Sequence, residues 1–285
     1  KVIRHSSLSY KPAIQHDQRY LGDLNIPESA KLICLKSPKG TGKTESFRGM
    51  VEGASAVGQR TLLITHRVQL GQAICDRVYL PYVTELRTSG EGDALGYGVC
   101  VDSLHPNSQA RFNAEEWDEA LVIIDEAEQV IWHLLSGSTE VKNVRLEVID
   151  QLRALFNGVL NSDRGRIVLS DADLSNQSIR FILQLLDAET KAKPFVVVND
   201  YQPQEPWQVY HYKQHRPEQW CNALMHHLEA GGKPFICTQS QKTNSRWSTT
   251  TLETLIRERF PDLKLLRIDS QSVADPKHPA YNCTA

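Results

Sequence analysis

The feature that most constrains the fold of this chain is an alternation between short apolar runs and longer segments with helical periodicity. The short runs are Leu32–Leu35, Thr61–Thr65, Tyr97–Val101, Leu121–Asp125, Arg166–Ser170 and Phe195–Val198. Between them, apolar residues recur at steps of three and four, most clearly from Val141 to Val159 and from Ile179 to Leu186. Strands that are apolar throughout and alternate with helices predict an α/β fold, with a parallel sheet covered by helices on both faces.

A polar segment with two prolines, Asp200–Pro206, interrupts this alternation and predicts a linker. The pattern then restarts, with strands expected at Trp207–Tyr212, Pro234–Thr238 and Leu263–Ile268, and helices near Glu218–Leu228 and Thr249–Glu258. We therefore predict two domains, residues 1–203 and 204–285. The second has only about 80 residues, which is short for an α/β domain. Because the chain also begins with Lys1, we expect it to be a piece of a longer protein.

The composition excludes several classes of protein. With 40% hydrophobic and 23% charged residues, the chain has the composition of a soluble globular protein. No apolar stretch approaches the ~20 residues that span a bilayer, and Lys1–Tyr10 lacks the apolar core of a signal peptide. The net charge of −2 excludes a general polycation, so any contacts with nucleic acid must be local. The six scattered cysteines form no CxxC pair, which favours reduced thiols and a cytoplasmic setting.

A glycine-rich segment, SPKGTGKTE, directly follows the first apolar run. A phosphate-binding loop needs glycines where a side chain would block the anion, a lysine for the terminal phosphates and a hydroxyl for Mg²⁺. The first position of the general pattern GxxxxGK[ST] is a serine here, and a polar turn that matches by coincidence is the alternative. The residues predicted to bind the nucleotide are Ser37, Gly40, Thr41, Gly42, Lys43, Thr44 and Glu45.

The apolar run at 121–125 ends in carboxylates, in the sequence LVIIDEAE. In open α/β sheets, ligands bind at the carboxyl ends of the strands. We expect Asp125 to hold Mg²⁺ together with Thr44, and Glu126 to orient and deprotonate the attacking water. Acidic residues are also common at helix N-termini for purely structural reasons. Both motifs in this order nevertheless predict an NTPase, with Lys43, Asp125 and Glu126 as its catalytic residues.

The pair SPKGTGKT and DEAE resembles motifs I and II of the superfamily 2 helicases and translocases. Four further segments are similar to other elements of these proteins in the same order: Ile64–Leu70 to motif Ia, Cys100–Leu104 to an "SL" element, Ser170–Ala172 to motif III and Phe235–Lys242 to motif IV. The closest resemblance is to the helicase part of cyanobacterial and phage plasmid replication proteins of the RepA type, relatives of the herpesvirus origin-binding protein. It extends from Arg19 to Ala280.

This resemblance implies two RecA-like domains, of which the second is truncated, and ATP with Mg²⁺ as cofactors. It also implies single-stranded or forked DNA and replication proteins as partners, with no membrane association. The residues with suitable chemistry for contacts with the nucleic acid are Thr65, His66, Arg67, Ser103, Ser240, Gln241 and Lys242. Ser170 and Asp171 are expected to couple hydrolysis to these contacts.

Two departures from the family pattern affect the expected activity. Residues 170–172 read Ser-Asp-Ala where many relatives have Ser-Ala-Thr, and no segment resembles motifs V and VI, which supply the arginine finger. We therefore expect this chain to bind ATP but to hydrolyse it slowly. The predicted function is an ATP-dependent DNA helicase or translocase module of a plasmid or phage replication protein. The alternative is a P-loop ATPase that serves as a nucleotide-gated DNA-binding or switch module without unwinding.

Overall fold

The computed structural model describes residues 8–89, 95–203, 208–212, 217–238, 240–241 and 245–281. Contacts between Cα atoms divide the chain into two compact units, Lys1–Gln204 and Glu205–Ala285. Among the described residues, no helix combines the length and the apolar character that crossing a membrane requires.

Within the described residues, the first unit is built on a seven-stranded sheet in which every strand pair is parallel. The strands are β1 (Ile14–His16), β2 (Leu32–Lys36), β3 (Thr61–Thr65), β4 (Gly96–Cys100), β5 (Leu121–Asp125), β6 (Arg166–Asp171) and β7 (Pro194–Asn199). Their spatial order is β1-β7-β2-β6-β5-β3-β4. The six strands predicted for this unit are present, with shifts of one residue at some ends, and the α/β class is confirmed.

Helices flank the sheet and bury their apolar faces against it. They are α1 (Lys43–Ala56), α2 (Val68–Val78), α3 (Val83–Ser89), α4 (Ala127–Ser136), α5 (Val141–Asn161) and α6 (Asn176–Gln184). The predicted periodicity is clearest in α5, where Val148, Leu152, Leu155 and Val159 are all buried. Every residue of β5 is also buried, as expected for a strand covered on both faces.

The parallel order brings the carboxyl ends of the strands to one edge, and this edge positions the candidate site. β6 lies between β2 and β5 and pairs with both. At the end of β6, Ser170 is opposite Asp125 of β5, and Asp171 is opposite Lys36 of β2. The glycine-rich segment begins immediately after Lys36, so it shares an edge with the acidic end of β5.

The second unit contains two described helices, α7 (Pro217–Glu229) and α8 (Thr249–Arg259). They contribute the buried cluster Leu224, Met225, Leu228 and Ile256. The segments predicted as strands are 207–212, of which residues 208–212 are described, 234–238 and 263–268. They form no ladder among the described residues. Segments 234–238 and 263–268 do alternate between half-buried and exposed positions, as strands do. A strand also requires a hydrogen-bonded neighbour, which this local pattern cannot provide.

Candidate functional site

The glycine-rich loop between β2 and α1 has a backbone that only glycine adopts readily. Gly40 and Gly42 have φ angles of 75° and 84°, in the left-handed region. A Cβ atom would find open space at Gly40 and only the Tyr20 ring, at 3.9 Å, at Gly42. The backbone conformation, not crowding, therefore requires glycine at these two positions. Helix α1 begins at Lys43, so the free N–H groups of its first turn are available to an anion.

Lys43 folds back over this loop instead of extending into solvent. Its Nζ donates hydrogen bonds to the carbonyl oxygens of Ser37, at 3.0 Å, and Pro38, at 3.4 Å. The side chain is largely buried. The ammonium charge is thus concentrated at the mouth of the loop, where a terminal phosphate would need it.

Asp125, the last residue of β5, is a buried carboxylic acid with an unused oxygen. Its Oδ1 has no hydrogen-bond partner in the part of the chain that the structure describes. Burial raises the pKa of Asp125 to about 6, against the opposing influence of Ser170 and of the Lys43 charge. The Ser170 Oγ likewise has no partner at hydrogen-bonding geometry, so Ser170 is a polar neighbour of the carboxyl and not a bonded one. The register of β2, β6 and β5 brings Asp125 to the same sheet edge as the loop that carries Lys43.

Glu126 occupies a strained position between β5 and α4. Its φ and ψ angles are both 51°, in the left-handed region, which costs a residue other than glycine roughly 1–2 kcal/mol. Such strain is concentrated at functional sites, where the surrounding structure enforces it. Glu126 is half-buried, and its charge raises the pKa of Asp125. Its assignment as the base that activates water remains a prediction.

The donor set at this edge fits a hard divalent cation. Mg²⁺ binds carboxylate and hydroxyl oxygens together with phosphate oxygens. The unpartnered Oδ1 of Asp125 is such a ligand, since an ionised buried carboxylate needs a positive partner. Thr44 follows Lys43 in the first turn of α1, and it is half-buried. Asp125 and Thr44 are the residues that would hold Mg²⁺.

Reciprocal carboxylate contacts connect the segment after β5 with the segment after β6. Asp171 accepts hydrogen bonds from the backbone N–H of Glu128, at 2.9 Å, and of Asp173, at 2.7 Å. Glu128 in turn accepts from the backbone N–H of Ser175, at 2.7 Å, and from the Ser178 hydroxyl. Asp171 therefore fixes the start of α4, and Glu128 fixes the start of α6. Glu128 was not among the predicted site residues, although it is the last carboxylate of the DEAE motif.

The turn between β3 and α2 contains three predicted nucleic-acid contacts in different environments. Thr65 is fully buried, and its hydroxyl donates to the Arg67 carbonyl at 3.0 Å, so it stabilises the turn from inside. His66 is half-buried, and its Nδ1 has no hydrogen-bond partner among the described residues. Burial, with smaller effects of Arg67 and His133, lowers the pKa of His66. Arg67 is exposed.

Ser103 lies in a 3₁₀ helix, Val101–Ser103, that follows β4. It is half-buried, and its carbonyl oxygen accepts from the Ser108 hydroxyl at 2.7 Å. The neighbouring Asp102 contacts the His133 Nε2 at 2.7 Å and accepts from the Thr139 hydroxyl at 2.8 Å. Asp102 therefore connects the Ser103 segment to α4, the helix that follows Glu126.

The remaining predicted contacts lie in the second unit. The Ser240 carbonyl accepts from the Thr249 N–H at 3.0 Å, at the start of α8. The Gln241 Oε1 accepts from the Ser270 hydroxyl at 2.8 Å. Both residues therefore support the local fold, and their contact with nucleic acid remains a prediction. Lys242 lies outside the described residues.

Comparisons with known proteins give an extensive match in sequence and partial matches in structure. No family model matches the chain. An uncharacterized protein of Picosynechococcus sp. is 41% identical over 272 residues, which cover 94% of this chain. The aligned part is 27% of that relative, so the chain spans about a quarter of its length.

One of the matching structures is the crystal structure of a hypothetical ATP-dependent RNA helicase from Sulfolobus tokodaii. The TM-score is 0.39 and the sequence identity 14%, over 59% of this chain and 48% of that one. The α/β fold is therefore assigned from the parallel sheet and its flanking helices alone.

Proposed function

We propose that this chain is the ATP-binding motor module of a DNA helicase or translocase. In this proposal the edge formed by the carboxyl ends of the strands binds ATP with Mg²⁺. Hydrolysis then changes the affinity of the protein for a single strand of DNA. One observation carries the proposal. The glycine-rich loop holds the Lys43 ammonium at the same sheet edge as Asp125, a buried carboxyl group whose Oδ1 has no hydrogen-bond partner among the described residues.

Each residue of this edge has a distinct role in the proposed reaction. The loop N–H groups and Lys43 bind the phosphates and orient the terminal one. Bound Mg²⁺ would neutralise charge that develops on the phosphate oxygens. Glu126 accepts a proton from the attacking water, a task for which a half-buried carboxylate at the strand end is suitable.

The contacts between the two acidic segments support a route from the nucleotide to the strand. Asp171 and Glu128 hold the starts of α4 and α6 in a fixed relation. At the other end of α4, His133 contacts Asp102, next to Ser103. A shift of Glu126 on hydrolysis would therefore reach the Ser103 segment through one helix.

The proposed contacts with DNA are directed at its backbone. His66, Arg67 and Ser103 follow the strands β3 and β4, which are neighbours in the sheet. Hydroxyl, imidazole and guanidinium groups bind phosphates with little dependence on sequence. Ser240, Gln241 and Lys242 are proposed to add contacts from the second unit. A role in plasmid or phage replication is supported by the resemblance of the ordered motifs to RepA-type proteins.

The direct test measures ATP turnover and nucleotide binding by this chain, with and without a single-stranded oligonucleotide. We expect Mg²⁺-dependent ATP binding and a slow turnover that the oligonucleotide accelerates. If ATP only changes the affinity for the oligonucleotide and no turnover is detected, the chain is a nucleotide-gated DNA-binding module. A chain that binds no nucleotide, or whose turnover is indifferent to the oligonucleotide, would contradict the proposal.

A further inference from the structure

A buried asparagine at the end of β7 contacts the phosphate loop from outside the predicted motifs. Asn199 directly follows Val198, which is opposite Lys36 in the β2–β7 register, so the asparagine lies beside Ser37. Its Nδ2 donates to the Gln18 carbonyl at 2.8 Å and to the Ser37 hydroxyl at 3.2 Å. Its Oδ1 accepts from the backbone N–H groups of Gln18, at 3.1 Å, and Tyr201, at 3.3 Å. The amide thus makes four hydrogen bonds, its full capacity.

The hydrogen bond to Ser37 continues into the loop as a chain of donors with a single direction. The Thr41 hydroxyl donates to the Pro38 carbonyl at 2.7 Å. The Ser37 hydroxyl, 2.6 Å from the Thr41 hydroxyl, must then donate to it, while Ser37 itself accepts from Asn199. Both hydroxyl groups are buried, so water does not compete for these bonds. These hydrogen bonds close the loop across its base, from residue 37 to residue 41.

The same residues position the ammonium group of Lys43. The two carbonyl oxygens that accept from Lys43 belong to Ser37 and Pro38, which are also the residues that the chain of hydroxyl groups holds. A serine at the first position of the motif, where the general pattern has glycine, is therefore explained by its hydroxyl, which connects Asn199 to Thr41. The side chain that appeared as a departure from the pattern is part of the loop's support.

Asn199 also anchors a second segment to the loop. Both backbone groups of Gln18 bond to the Asn199 amide. Three residues later, the Leu21 N–H donates to the Thr41 carbonyl at 2.9 Å. The Gly22 carbonyl accepts from the Ser46 hydroxyl of α1 at 3.3 Å. Asn199 thus holds one end of a segment, 18–22, that lies along the phosphate loop.

We propose that Asn199 is a positioning residue for the bound nucleotide. It keeps the loop and the Lys43 ammonium in the arrangement that receives phosphates, so that binding requires no ordering of the loop. A ligand that must order its own site loses affinity by the cost of that ordering. This inference rests on the proposed function, because it assumes that the loop binds nucleotide.

The chain offers a matched control in a second buried asparagine. Asn157, on α5, also makes four hydrogen bonds through its amide. Its Nδ2 donates to the carbonyls of Arg153 and Leu185, at 2.8 and 3.1 Å. Its Oδ1 accepts from the Asp187 N–H at 2.8 Å and the Thr190 hydroxyl at 2.7 Å. None of these partners belongs to the phosphate loop, so Asn157→Ala removes a comparable network without touching it.

The experiment compares Asn199→Ala with Asn157→Ala in the whole chain. The dissociation constants of MgADP and of inorganic tripolyphosphate are measured beside the thermal unfolding midpoint, and KM and kcat are measured where turnover is detectable. We expect both variants to unfold at lower temperature. Only Asn199→Ala should weaken the binding of both ligands, roughly tenfold, because, of its four lost hydrogen bonds, one reaches the phosphate loop. A purely structural defect lowers the folded fraction and hence the apparent kcat, whereas lost positioning raises KM.

Ser37→Ala tests the hydrogen bond between Asn199 and Ser37 from its other end. It removes the hydroxyl that accepts from Asn199 and leaves the bonds of Asn199 to Gln18 in place. We expect it to weaken tripolyphosphate binding, and the double variant with Asn199→Ala to lose less affinity than the two single losses combined, because the two variants share the bond between these side chains.

Three results would overturn the inference: unchanged dissociation constants in Asn199→Ala, equal changes in Asn157→Ala, or additive effects in the double variant. If Asn199→Ala does not fold, unchanged binding by Ser37→Ala overturns it instead. A wild-type chain that binds neither ligand would overturn the proposed function, and this inference with it. If the wild type binds both ligands and Asn199→Ala binds them equally well, the inference fails but the proposed function stands.

Discussion

At the phosphate loop the polar side chains are buried and bonded to one another, whereas the two residues that follow β3, His66 and Arg67, are more accessible. Ser37, Thr41 and Lys43 are all buried and satisfied by hydrogen bonds within the loop. The His66 Nδ1 has no hydrogen-bond partner within the described part of the chain, and Arg67 is exposed. The phosphate loop is thus formed before its ligand arrives, whereas the proposed contacts with DNA would form their hydrogen bonds only when the strand binds.

This difference predicts where substitutions have large effects. A preformed site concentrates binding energy in a few fixed groups, so that removing one of them changes affinity or rate strongly. A surface that binds a flexible phosphate backbone distributes its energy over many weak contacts. Substitutions should therefore have large effects at the nucleotide edge and small ones at the turn after β3.

The largest expected effect is that of Glu126→Gln on ATP turnover. The amide cannot accept a proton from water, and loss of a positioned base usually costs about 10²–10⁴ in rate. ATP affinity should stay within a few-fold of the wild type, because the phosphate loop is unchanged. The control is Glu52→Gln, at an exposed glutamate of α1 that pairs with Arg48. If Glu126→Gln turns over ATP at the wild-type rate, Glu126 is not the base that activates water.

Lys43→Ala should follow, with ATP binding weakened by about 100-fold. The substitution removes the charge and both hydrogen bonds to the loop carbonyls. Hydrogen bonds from a charged donor contribute about 1.5–3 kcal/mol each. Lys39→Ala, at an exposed lysine of the same loop, should change the affinity less than about threefold. Equal losses in the two variants, measured by calorimetry, would mean that the loop attracts ATP only by general charge.

Asp125→Asn tests how much stability the protein loses by burying an ionised carboxylate in the absence of metal. Because burial raises the pKa of Asp125 from 3.8 to about 6, the folded chain holds a proton between these pH values that the unfolded chain releases. The contribution of Asp125 to stability is present below pH 4 and is lost as the pH rises through 6. Between these two pH ranges the free energy of unfolding falls by about 3 kcal/mol.

The neutral Asp125→Asn variant should therefore be more stable than the wild type by about 2–3 kcal/mol at pH 7.5 in a chelating buffer. The advantage should disappear near pH 4. Urea unfolding at several pH values measures both differences. Equal stability of the two proteins at pH 7.5 would show that burial does not raise the pKa of Asp125. The nucleotide edge would then not hold a destabilising charge before its ligand binds.

The smallest effect is expected for Arg67→Ala on the binding of a single-stranded oligonucleotide. Loss of one phosphate contact should weaken binding by only about three- to fivefold and lower the salt slope by about 0.7. Arg77→Ala, at an exposed arginine in the last turn of α2, should leave both quantities unchanged. A loss above 100-fold would show that the turn after β3 is a preformed site as well.

Local chemistry explains what could be predicted from the sequence. The strands of the first unit and the loop at 37–45 were predictable because apolar periodicity and glycine content are properties of neighbouring residues. β1 was missed because it has only three residues, none of them buried. The role of Ser37 was not predictable, since its partner Asn199 is 162 positions away. The strands predicted in the second unit show the same limit, because a local alternation does not specify a pairing partner.

The most direct test of the central claim is the position of a bound metal ion. Crystals of this chain with ADP and Mn²⁺ in place of Mg²⁺ would locate the metal by its anomalous scattering. We predict a peak bridged by the Thr44 hydroxyl and the nucleotide phosphates, on the side facing Asp125 and Glu126, with Lys43 on the phosphates. A nucleotide and metal bound away from the carboxyl ends of β2 and β5 would contradict the account.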